Sequence, residues 1–299
     1  YELVRRLAAS DLPVLVAGET GTGKELVAQA VHAWSPRAGK PFVALNCAAI
    51  QDTLVESELF GYERGAFSGA LASKPGLLET ARGGTVLLDE IGDLAASGQA
   101  KLLRALETGR ITRVGDVRER PIDIRIVAAT NRDLEADVAQ GRFRQDLLFR
   151  LNTVNLHLPP LRDRVEDVEA LAESFLERHA KRYRKPVERF DEGALSALRR
   201  YRWPGNVREL DHAVERGVLM ARGPAIGEDD LFLDRGPDAG VVLPGGSPRL
   251  EEMTLEEAEK VMIERALDRH DGSVTEAAKT LGLSRSALYR RLEKYEIET

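Results

Sequence analysis

The chain has 299 residues, 43% of them hydrophobic and 31% charged, which is the composition of an ordinary globular protein with room for two or three domains. The formal net charge of −6 excludes a surface that attracts nucleic acid everywhere, and no apolar run approaches the roughly 18 residues that a membrane-spanning helix needs. The single cysteine, Cys47, excludes an internal disulfide and is typical of a reducing cytoplasm, where it would serve as a small core residue.

The first predicted strand, 13–17, leads into a glycine-rich turn and then into a helix over 24–34. The turn fits the pattern G-x-x-x-x-G-K in the strand–turn–helix context of a phosphate-binding loop. Glycines let consecutive backbone N–H groups point at phosphate oxygens, and the helix start adds partial positive charge. Lys24 would reach the terminal phosphates. The predicted nucleotide-binding residues are Gly18, Glu19, Thr20, Gly21, Thr22, Gly23, Lys24 and Glu25.

Glu25 stands where this pattern usually has serine or threonine. The replacement removes one ligand for Mg²⁺, so metal binding must depend on other residues. The alternative to a phosphate-binding loop is an accidental glycine-rich turn.

Polar residues end three further strands that alternate with helical segments, a pattern that predicts an α/β fold with a parallel sheet covered by helices. Asp89 and Glu90 follow the buried run 85–88, and the carboxyl ends of such strands face the ligand crevice. We expect Asp89 to hold Mg²⁺ and Glu90 to orient and deprotonate an attacking water. Asn46 and Asn131, at two other strand ends, can hold a water or sense the γ-phosphate, and Asn46 can restrain Glu90 until that phosphate arrives. The alternative is that both asparagines are turn or cap residues.

The run 65–70 places one bulky apolar residue among small ones: Gly65, Ala66, Phe67, Ser68, Gly69 and Ala70. Glycine carries an entropy cost in helices and strands, so this run predicts a mobile loop. An exposed phenylalanine on such a loop is a plausible interaction anchor. The alternative is that Phe67 folds back onto its own domain.

Two charged segments follow. The charged segment 113–123 is predicted to form a second surface insertion, in addition to the loop 65–70. The alternative is a plain surface hairpin. Farther on, Arg144 and Arg150 are six residues apart, so on one helix they would point ~120° away from each other and need not bind one phosphate. Their alternative is a surface ion pair with Asp146 or Glu135.

Pro159 and Pro160 end the first predicted domain, 1–160, and helical patterns fill the second, a lid over 161–233. Within it, Trp203 is predicted to lie in the core and Asn206 to cap the helix that follows. Arg208 lies in the first turn of that helix, where a positive charge opposes the helix dipole, so a phosphate partner is expected. The alternative is an ion pair with Glu209 or Asp211.

A proline- and glycine-rich stretch predicts a flexible linker over 234–250, followed by a helix-turn-helix domain over 251–299 with its recognition helix at 284–295. Five basic residues against the single Glu293 concentrate positive charge between 279 and 295, although basic solvated helices are also common. Leu288, Leu292 and Tyr295 are predicted to face inward. The residues expected to contact DNA are Arg285, Ser286, Tyr289, Arg290 and Lys294.

Several segments together resemble the AAA+ ATPases, and more narrowly the bacterial enhancer-binding proteins, which are NtrC-type activators of sigma-54 RNA polymerase. The segments are GETGTGKE, ELFGYERGAFSGA, GGTVLLDEIGDL, VAATNRDL, FRQDLLFRLN, LPPLRDR and WPGNVREL. The resemblance implies an AAA+ P-loop ATPase with an α-helical lid and a C-terminal Fis-type helix-turn-helix domain, using ATP and Mg²⁺ in the bacterial cytoplasm. Glu25 looks usual for this family, so it does not imply an inactive ATPase.

The resemblance also implies roles for residues that composition and spacing leave open. The loop 65–70 grips sigma-54, with Ser68 in place of the usual threonine weakening that contact rather than abolishing it. The segment 113–123 supports the loop. Arg144 and Arg150 act on the ATP of the neighbouring subunit, which requires a closed ring, and Arg208 reaches ATP from the lid.

The implied function is ATP-dependent transcription activation: dimers on enhancer DNA assemble into a hexamer or heptamer that remodels the sigma-54 RNA polymerase holoenzyme and opens promoters. The family's regulatory domain would precede Tyr1, which opens the chain without a methionine or a visible signal peptide, so we expect a piece of a longer response regulator. Two alternatives stay open. An AAA+ DNA-remodelling motor would need basic residues at the ring pore, and a non-catalytic DNA-binding regulator would not need Asp89, Glu90 and the paired arginines.

Overall fold

The structure is a computed structural model, and it describes residues 2–49 and 52–233 together with Ile263, Val274, Leu288, Arg291, Leu292 and Tyr295. The chain divides into two compact units, Tyr1–Leu233 and Asp234–Thr299. The finer domain boundaries expected from the sequence remain predictions. Among the described residues, no helix has both the length and the apolar character needed to cross a lipid bilayer.

Strands and helices alternate through the first unit. The strands are β1 (Val14–Ala17), β2 (Phe42–Asn46), β3 (Gly61–Tyr62), β4 (Lys74–Pro75), β5 (Thr85–Asp89), β6 (Arg110–Thr112), β7 (Glu119–Pro121), β8 (Arg125–Thr130), β9 (Val154–His157), β10 (Arg189–Phe190) and β11 (Ala225–Ile226). The α-helices are α1 (Glu2–Ala8), α2 (Lys24–Ala33), α3 (Asp52–Phe60), α4 (Leu77–Thr80), α5 (Ala96–Thr108), α6 (Leu134–Ala139), α7 (Gln145–Leu151), α8 (Glu166–Tyr183), α9 (Glu192–Arg200), α10 (Asn206–Met220) and α11 (Glu228–Leu231).

The main sheet has five parallel strands in the order β2-β5-β8-β1-β9. Its register puts Asn46 opposite Asp89 at the ends of β2 and β5, and Ala17 opposite Thr130 at the ends of β1 and β8. Four strands therefore end side by side at one edge, where the glycine-rich turn also begins. The α/β fold with a parallel sheet is confirmed.

Helices cover both faces of this sheet because successive strand residues point to opposite sides. Val14 and Val16 of β1 face a core that includes residues of α2, whereas Leu15 faces the larger core against α3, α5 and α7. Cys47 belongs to that larger core, as the sequence predicts; it is buried, and burial raises the pKa of its thiol to about 12.

The helices from α8 onward pack around their own apolar core, which begins at Leu161 and includes Trp203. Trp203 is fully buried, and its indole N–H donates to Leu198 O over 3.0 Å, so the prediction of a core residue is confirmed. The prediction that Asn206 caps a helix is wrong: the cap of α10 is Gly205, and Asn206 is the first residue within the helix. Its side chain makes long-range bonds instead.

Helix α7 contains only the second of the two arginines, Arg150. It begins at Gln145, and Arg144 is its N-cap with extended backbone angles. The two arginines therefore do not share one regular helix, and the angle expected between them does not apply.

In the second unit, Leu288 and Leu292 are buried, as predicted for the inward face of the recognition helix. The predicted linker 234–250 and the residues predicted to contact DNA (Arg285, Ser286, Tyr289, Arg290 and Lys294) lie outside the described residues.

Candidate nucleotide-binding site

The glycine-rich turn joins the end of β1 to the start of α2. Gly21 and Gly23 have φ angles of 80° and 99°, in the left-handed region that favours glycine. Lys24, the first residue of α2, is buried, and its ammonium donates to Gly18 O over 2.9 Å and to Glu19 O over 3.3 Å. The turn therefore closes around the lysine in the form expected of a phosphate-binding loop.

The acidic pair lies directly beside this lysine. Glu90 follows β5 with φ and ψ both 50°, a left-handed conformation that is uncommon for residues other than glycine. Its carboxylate lies 3.5 Å from Lys24 Nζ and accepts the backbone N–H of Asn131 over 3.0 Å. Because strained conformations of this kind collect at functional sites, the geometry supports a catalytic role for Glu90.

The two asparagines bind different partners. Asn131 donates from Nδ2 to Thr20 Oγ1 over 2.9 Å, so it joins the end of β8 to the loop. Asn46 accepts the N–H groups of Ala48 and Ala49, which is the turn-capping alternative, and its amide lies 3.5 Å from Asp89 Oδ2. The expected contact of Asn46 with Glu90 is therefore replaced here by one with Asp89.

Asp89 offers a carboxylate at the strand end, half-buried and facing the same edge as the loop. Oxygen ligands of this kind suit Mg²⁺, which usually binds through one or two carboxylates and takes its other ligands from phosphates and water. Among the described residues, no group of three or more His, Cys, Asp and Glu side chains is placed to hold a metal ion. A magnesium ion here would depend on Asp89 together with the nucleotide.

A cleft of about 300 Å³ opens above these residues and is closed on its far side by α8 and α10 of the lid. It is lined by Thr20, Gly21, Gly23, Lys24, Glu25, Leu26, Asn46, Asp89, Glu90, Phe175, Arg178, Val207, Arg208 and Asp211. The lid side, with Phe175, Arg178 and Asp211, carries no motif in the sequence. Only the packing of α8 against α10 reveals that these side chains reach the cleft.

Arg208 lies at this cleft without an ion-pair partner in the part of the chain that the structure describes. Both alternatives named from the sequence are engaged elsewhere. Glu209 accepts the N–H of Gly205 over 2.8 Å, and Asp211 pairs with Arg178 and with His179. A phosphate in the cleft remains the expected partner of Arg208.

Arg144 and Arg150 are not among the residues that line this cleft. Arg144 forms a bidentate pair with Asp146 at 2.9 and 2.6 Å, the alternative considered from the sequence, and this pair raises the pKa of Arg144. Arg150 is exposed and donates to Leu106 O over 3.1 Å. Neither guanidinium serves the nucleotide site of its own chain in this arrangement.

The loop 65–70 is exposed at its tip, yet it is held by its own hydrogen bonds. Phe67 is 42% exposed and packs edge-on against Tyr62, with the ring centroids 4.9 Å apart. Gly65 N donates to Ala70 O over 2.9 Å and closes the base of the loop. Phe67 is thus partly folded back and partly available to a partner.

The segment 113–123 contacts this first loop. Arg113 pairs with Glu63 at 3.0 Å and with Glu79 at 2.8 Å, and Arg120 also pairs with Glu63, at 3.0 Å. A β-bridge joins Tyr62 to Val114. The two insertions therefore form one body on the surface of the first unit.

Three family models match the chain. They are the sigma-54 interaction domain at residues 1–157, an AAA+ ATPase lid domain at 162–236, and the bacterial regulatory protein, Fis family, at 254–295. The first alone covers more than half of the chain, and the three matches follow the order of the described α/β region, the lid and the C-terminal unit.

The chain is also similar to whole regulators and to a solved structure. It is 47% identical over 96% of its length to the transcriptional regulatory protein ZraR of Klebsiella oxytoca, covering 65% of that protein. It is 47% identical over 98% of its length to the alginate biosynthesis transcriptional regulatory protein AlgB of Pseudomonas aeruginosa, covering 64% of it. The chain thus spans less than two thirds of both relatives. The crystal structure of NtrX from Brucella abortus in complex with ATP matches with a TM-score of 0.75 and 34% identity, covering 99% of this chain and 66% of that one.

Proposed function

Since the chain belongs to the family of sigma-54-dependent transcriptional regulators, with a sigma-54 interaction domain, an AAA+ lid and a Fis-type DNA-binding domain, we propose that it hydrolyses ATP to remodel the sigma-54 RNA polymerase holoenzyme and open promoters. The reaction takes place in the bacterial cytoplasm. The protein acts as a ring of six or seven subunits on enhancer DNA, to which its C-terminal domain binds as dimers.

The observation that carries this proposal is the set of contacts around Glu90. One carboxylate is held by the lysine of the phosphate-binding loop and by the N–H of Asn131, whose side chain in turn binds Thr20 of the same loop. A carboxylate fixed beside a phosphate-binding loop can orient a water for attack on a terminal phosphate. The similarity to NtrX solved with ATP supports ATP as the nucleotide.

Hydrolysis would proceed through residues of one cleft. The N–H groups of the loop and the Lys24 ammonium bind the phosphates, and Glu90 accepts a proton from the attacking water. When bound, Mg²⁺ would neutralise charge on the phosphates, held by Asp89. ATP would draw Lys24 away from Glu90 toward phosphate oxygens, which frees the carboxylate for its role as a base.

The two joined insertions, the loop 65–70 and the segment 113–123, would transmit the conformational change to sigma-54. Their contact with the core runs through α4 and α5, which connect them to β5 and thus to Asp89 and Glu90. A change at the nucleotide can therefore bias the order of the loops, as in other γ-phosphate switches. Phe67 supplies the apolar contact with sigma-54.

The test is nucleotide-dependent binding of sigma-54 by the wild type and by Phe67→Ala, measured with an ATP transition-state mimic, with ATP turnover measured in parallel. We expect binding in the wild type, loss of binding in Phe67→Ala, and ATP hydrolysis in both. Leu71→Ala is the matched control, because Leu71 is also exposed beside the loop but lies outside 65–70. Equal binding by wild type and Phe67→Ala, or no binding by either, would remove the link between this ATPase and sigma-54.

A further inference from the structure

The outer face of the phosphate-binding loop is covered by the lid. Three consecutive loop carbonyls accept donors from it: Thr20 O from Asn206 Nδ2 at 3.0 Å, Gly21 O from the N–H groups of Val207 and Arg208 at 3.0 and 3.3 Å, and Thr22 O from Arg164 at 3.1 Å. We call this set the loop–lid contact. Every donor in it comes from the lid side of the chain, more than 140 positions along the sequence.

Asn206 lies at the centre of the loop–lid contact and is fully buried. Its Oδ1 accepts the N–H of Leu161 over 2.7 Å, while its Nδ2 donates to Thr20 O and, over 3.2 Å, to Glu19 Oε2. A neutral amide can serve as donor and acceptor at once, which neither a carboxylate nor an ammonium can do. The residue type therefore matches a position between a backbone N–H and a backbone carbonyl.

The backbone conformations of Asn206 and Gly21 also favour the loop–lid contact. Asn206 has a φ of 54°, in the left-handed region that asparagine tolerates better than most residues. A side chain on Gly21 would put its Cβ 2.2 Å from Gly205 O, so the loop can approach the turn before α10 this closely only because residue 21 is glycine. Glu19 adds an ion pair with Arg162, at 2.5 Å, to the edge of the contact.

These bonds act on the face of the loop that binds phosphate. In a trans peptide the C=O and the next N–H lie in one plane and point in opposite directions. Holding Thr20 O therefore fixes the N–H of Gly21, and holding Thr22 O fixes the N–H of Gly23, each directed away from the lid. Such N–H groups are the ones that cradle phosphates in a loop of this pattern.

We propose that Asn206 is a positioning residue: by binding Thr20 O it orients the phosphate-binding N–H groups without itself touching the nucleotide, and it makes ATP affinity depend on the seating of the lid. The inference rests on the proposed function in its choice of ATP as the ligand. Its effect on the loop itself can be measured without any nucleotide.

The decisive variant is Asn206→Gly, because glycine accepts the left-handed φ and removes only the amide. We expect the KM for ATP and the dissociation constant of ATP to rise about tenfold, since at least one hydrogen bond to the loop is lost, while kcat at saturating ATP changes by less than about threefold. In the nucleotide-free protein, hydrogen exchange of the Val207 and Arg208 amides, which donate to Gly21 O, should accelerate by a similar factor. Asn206→Asp, which keeps the acceptor for Leu161 N but not the donor, should show the same pattern.

The matched control is Val214→Ala, a truncation in the buried face of the same helix, α10, in the core of the lid. It should lower the melting temperature yet leave ATP affinity and the exchange of the Val207 and Arg208 amides unchanged. If Asn206→Gly binds ATP like the wild type and its Val207 and Arg208 amides exchange at the wild-type rate, the proposal is overturned. It is also overturned if Val214→Ala, at the same melting temperature as Asn206→Gly, shows the same loss of ATP affinity, because the effect is then one of general stability. A wild-type protein that binds no ATP would overturn the proposed function instead, and the exchange rates would still decide the role of Asn206.

Discussion

Glu90, the proposed catalytic base, is restrained in three ways that an ordinary acidic residue at a strand end is not. It is held in a left-handed backbone conformation, it lies against the buried ammonium of Lys24, and it accepts a backbone N–H from the neighbouring strand end. Each of these restraints limits where its oxygens can point. Asp89, one residue earlier, is the carboxylate we propose for Mg²⁺.

We predict that Glu90→Gln binds ATP with nearly wild-type affinity but hydrolyses it roughly 10²–10⁴ times more slowly, because an amide cannot take the proton of the attacking water. Single-turnover hydrolysis and equilibrium binding of ATP, measured on the same preparation, test both parts. Hydrolysis within a few-fold of the wild-type rate would show that another group is the base.

The carboxyl group of Glu19 is also held by neighbouring side chains. Its hydrogen bonds with Arg162, and next with Asn206, lower the pKa of its carboxyl from 4.5 to about 2. Because the pKa is lower in the folded state, the stabilisation is fully present above pH 4.5 and is lost as the pH falls from there toward 2. Both side chains of the pair are more than 40% exposed, so its contribution is at most about 1 kcal/mol.

The measurement is an NMR titration of Glu19 in wild type and in Arg162→Ala. The variant should titrate closer to 4.5, and the difference in free energy of unfolding between the two proteins should shrink below that pH. Arg182→Ala, which removes a surface arginine from the far part of α8, should leave the titration of Glu19 unchanged. An unchanged pKa in Arg162→Ala would mean that Arg162 does not hold the carboxylate in solution.

Single residues were predictable where a local pattern encodes them. Gly21, Lys24 and Glu90 follow from a motif and from their place at strand ends, and the geometry brings them together. Asn206 was misassigned as a helix cap because its partners, Glu19, Thr20 and Leu161, are distant in the sequence. Local preference for a cap and long-range hydrogen bonding use the same side chain, and only the fold decides between them.

At the scale of elements, the two surface insertions behave as one because of charge. Arg113 has its guanidinium between Glu63 of the first insertion and Glu79 of α4, and only 13% of its side chain is exposed. These two carboxylates raise the pKa of Arg113, Glu79 first and Glu63 second. A positive charge shared in this way ties the base of the Phe67 loop to the second insertion and to the core.

We predict that Arg113→Ala weakens sigma-54 binding about three- to tenfold while leaving ATP affinity within about twofold, because it breaks the ion pairs with Glu63 and Glu79 and, among the described residues, leaves Glu63 only its pair with Arg120. Binding of sigma-54 with a transition-state mimic and of ATP alone would be measured side by side. Arg104→Ala is the control, since its pair with Glu119 is largely exposed and involves neither Glu63 nor Glu79. Equal sigma-54 binding by both variants would show that the ion pairs do not support the loop.

The elements themselves were largely predictable, and their ends were not. Periodicity and glycine placement gave the strands before the phosphate-binding loop and Asp89, because buried parallel strands are continuous apolar runs. The position of Arg144 outside α7 could not be read from the sequence, since an arginine fits a helix pattern whether it lies inside the first turn or caps it. The contact of the two insertions could not be read from their sequences, because ion pairs across about 50 positions leave no local pattern.

At the scale of the whole molecule, the positions of Arg144 and Arg150 argue for assembly. Both are exposed and neither lines the cleft of its own chain, so either of these two arginines would serve ATP only in the site of another copy. Head-to-tail contacts that repeat until they close produce a ring, in which each site combines the loop of one subunit with the arginine of the next. The hypothesis drawn from the sequence therefore predicts complementation between defective subunits.

We predict that Lys24→Ala and Arg150→Ala are each nearly inactive alone and recover ATP turnover when mixed. In a random equimolar ring, a site is intact when its loop comes from an Arg150→Ala subunit and its arginine from a Lys24→Ala subunit, which gives about a quarter of the wild-type rate.

The control is a mixture of Lys24→Ala with Glu90→Gln. Both substitutions lie in the same chain's half of the site, 3.5 Å apart in the wild type. Every site in that mixture therefore lacks either the lysine or the carboxylate, and ATP turnover should not recover. Recovery only in the Arg150 mixture assigns that arginine to the neighbouring subunit. If the mixture of Lys24→Ala and Arg150→Ala recovers no ATP turnover while wild-type rings are active under the same conditions, Arg150 acts within its own chain. ATP hydrolysis would then not require Arg150 from a neighbouring subunit.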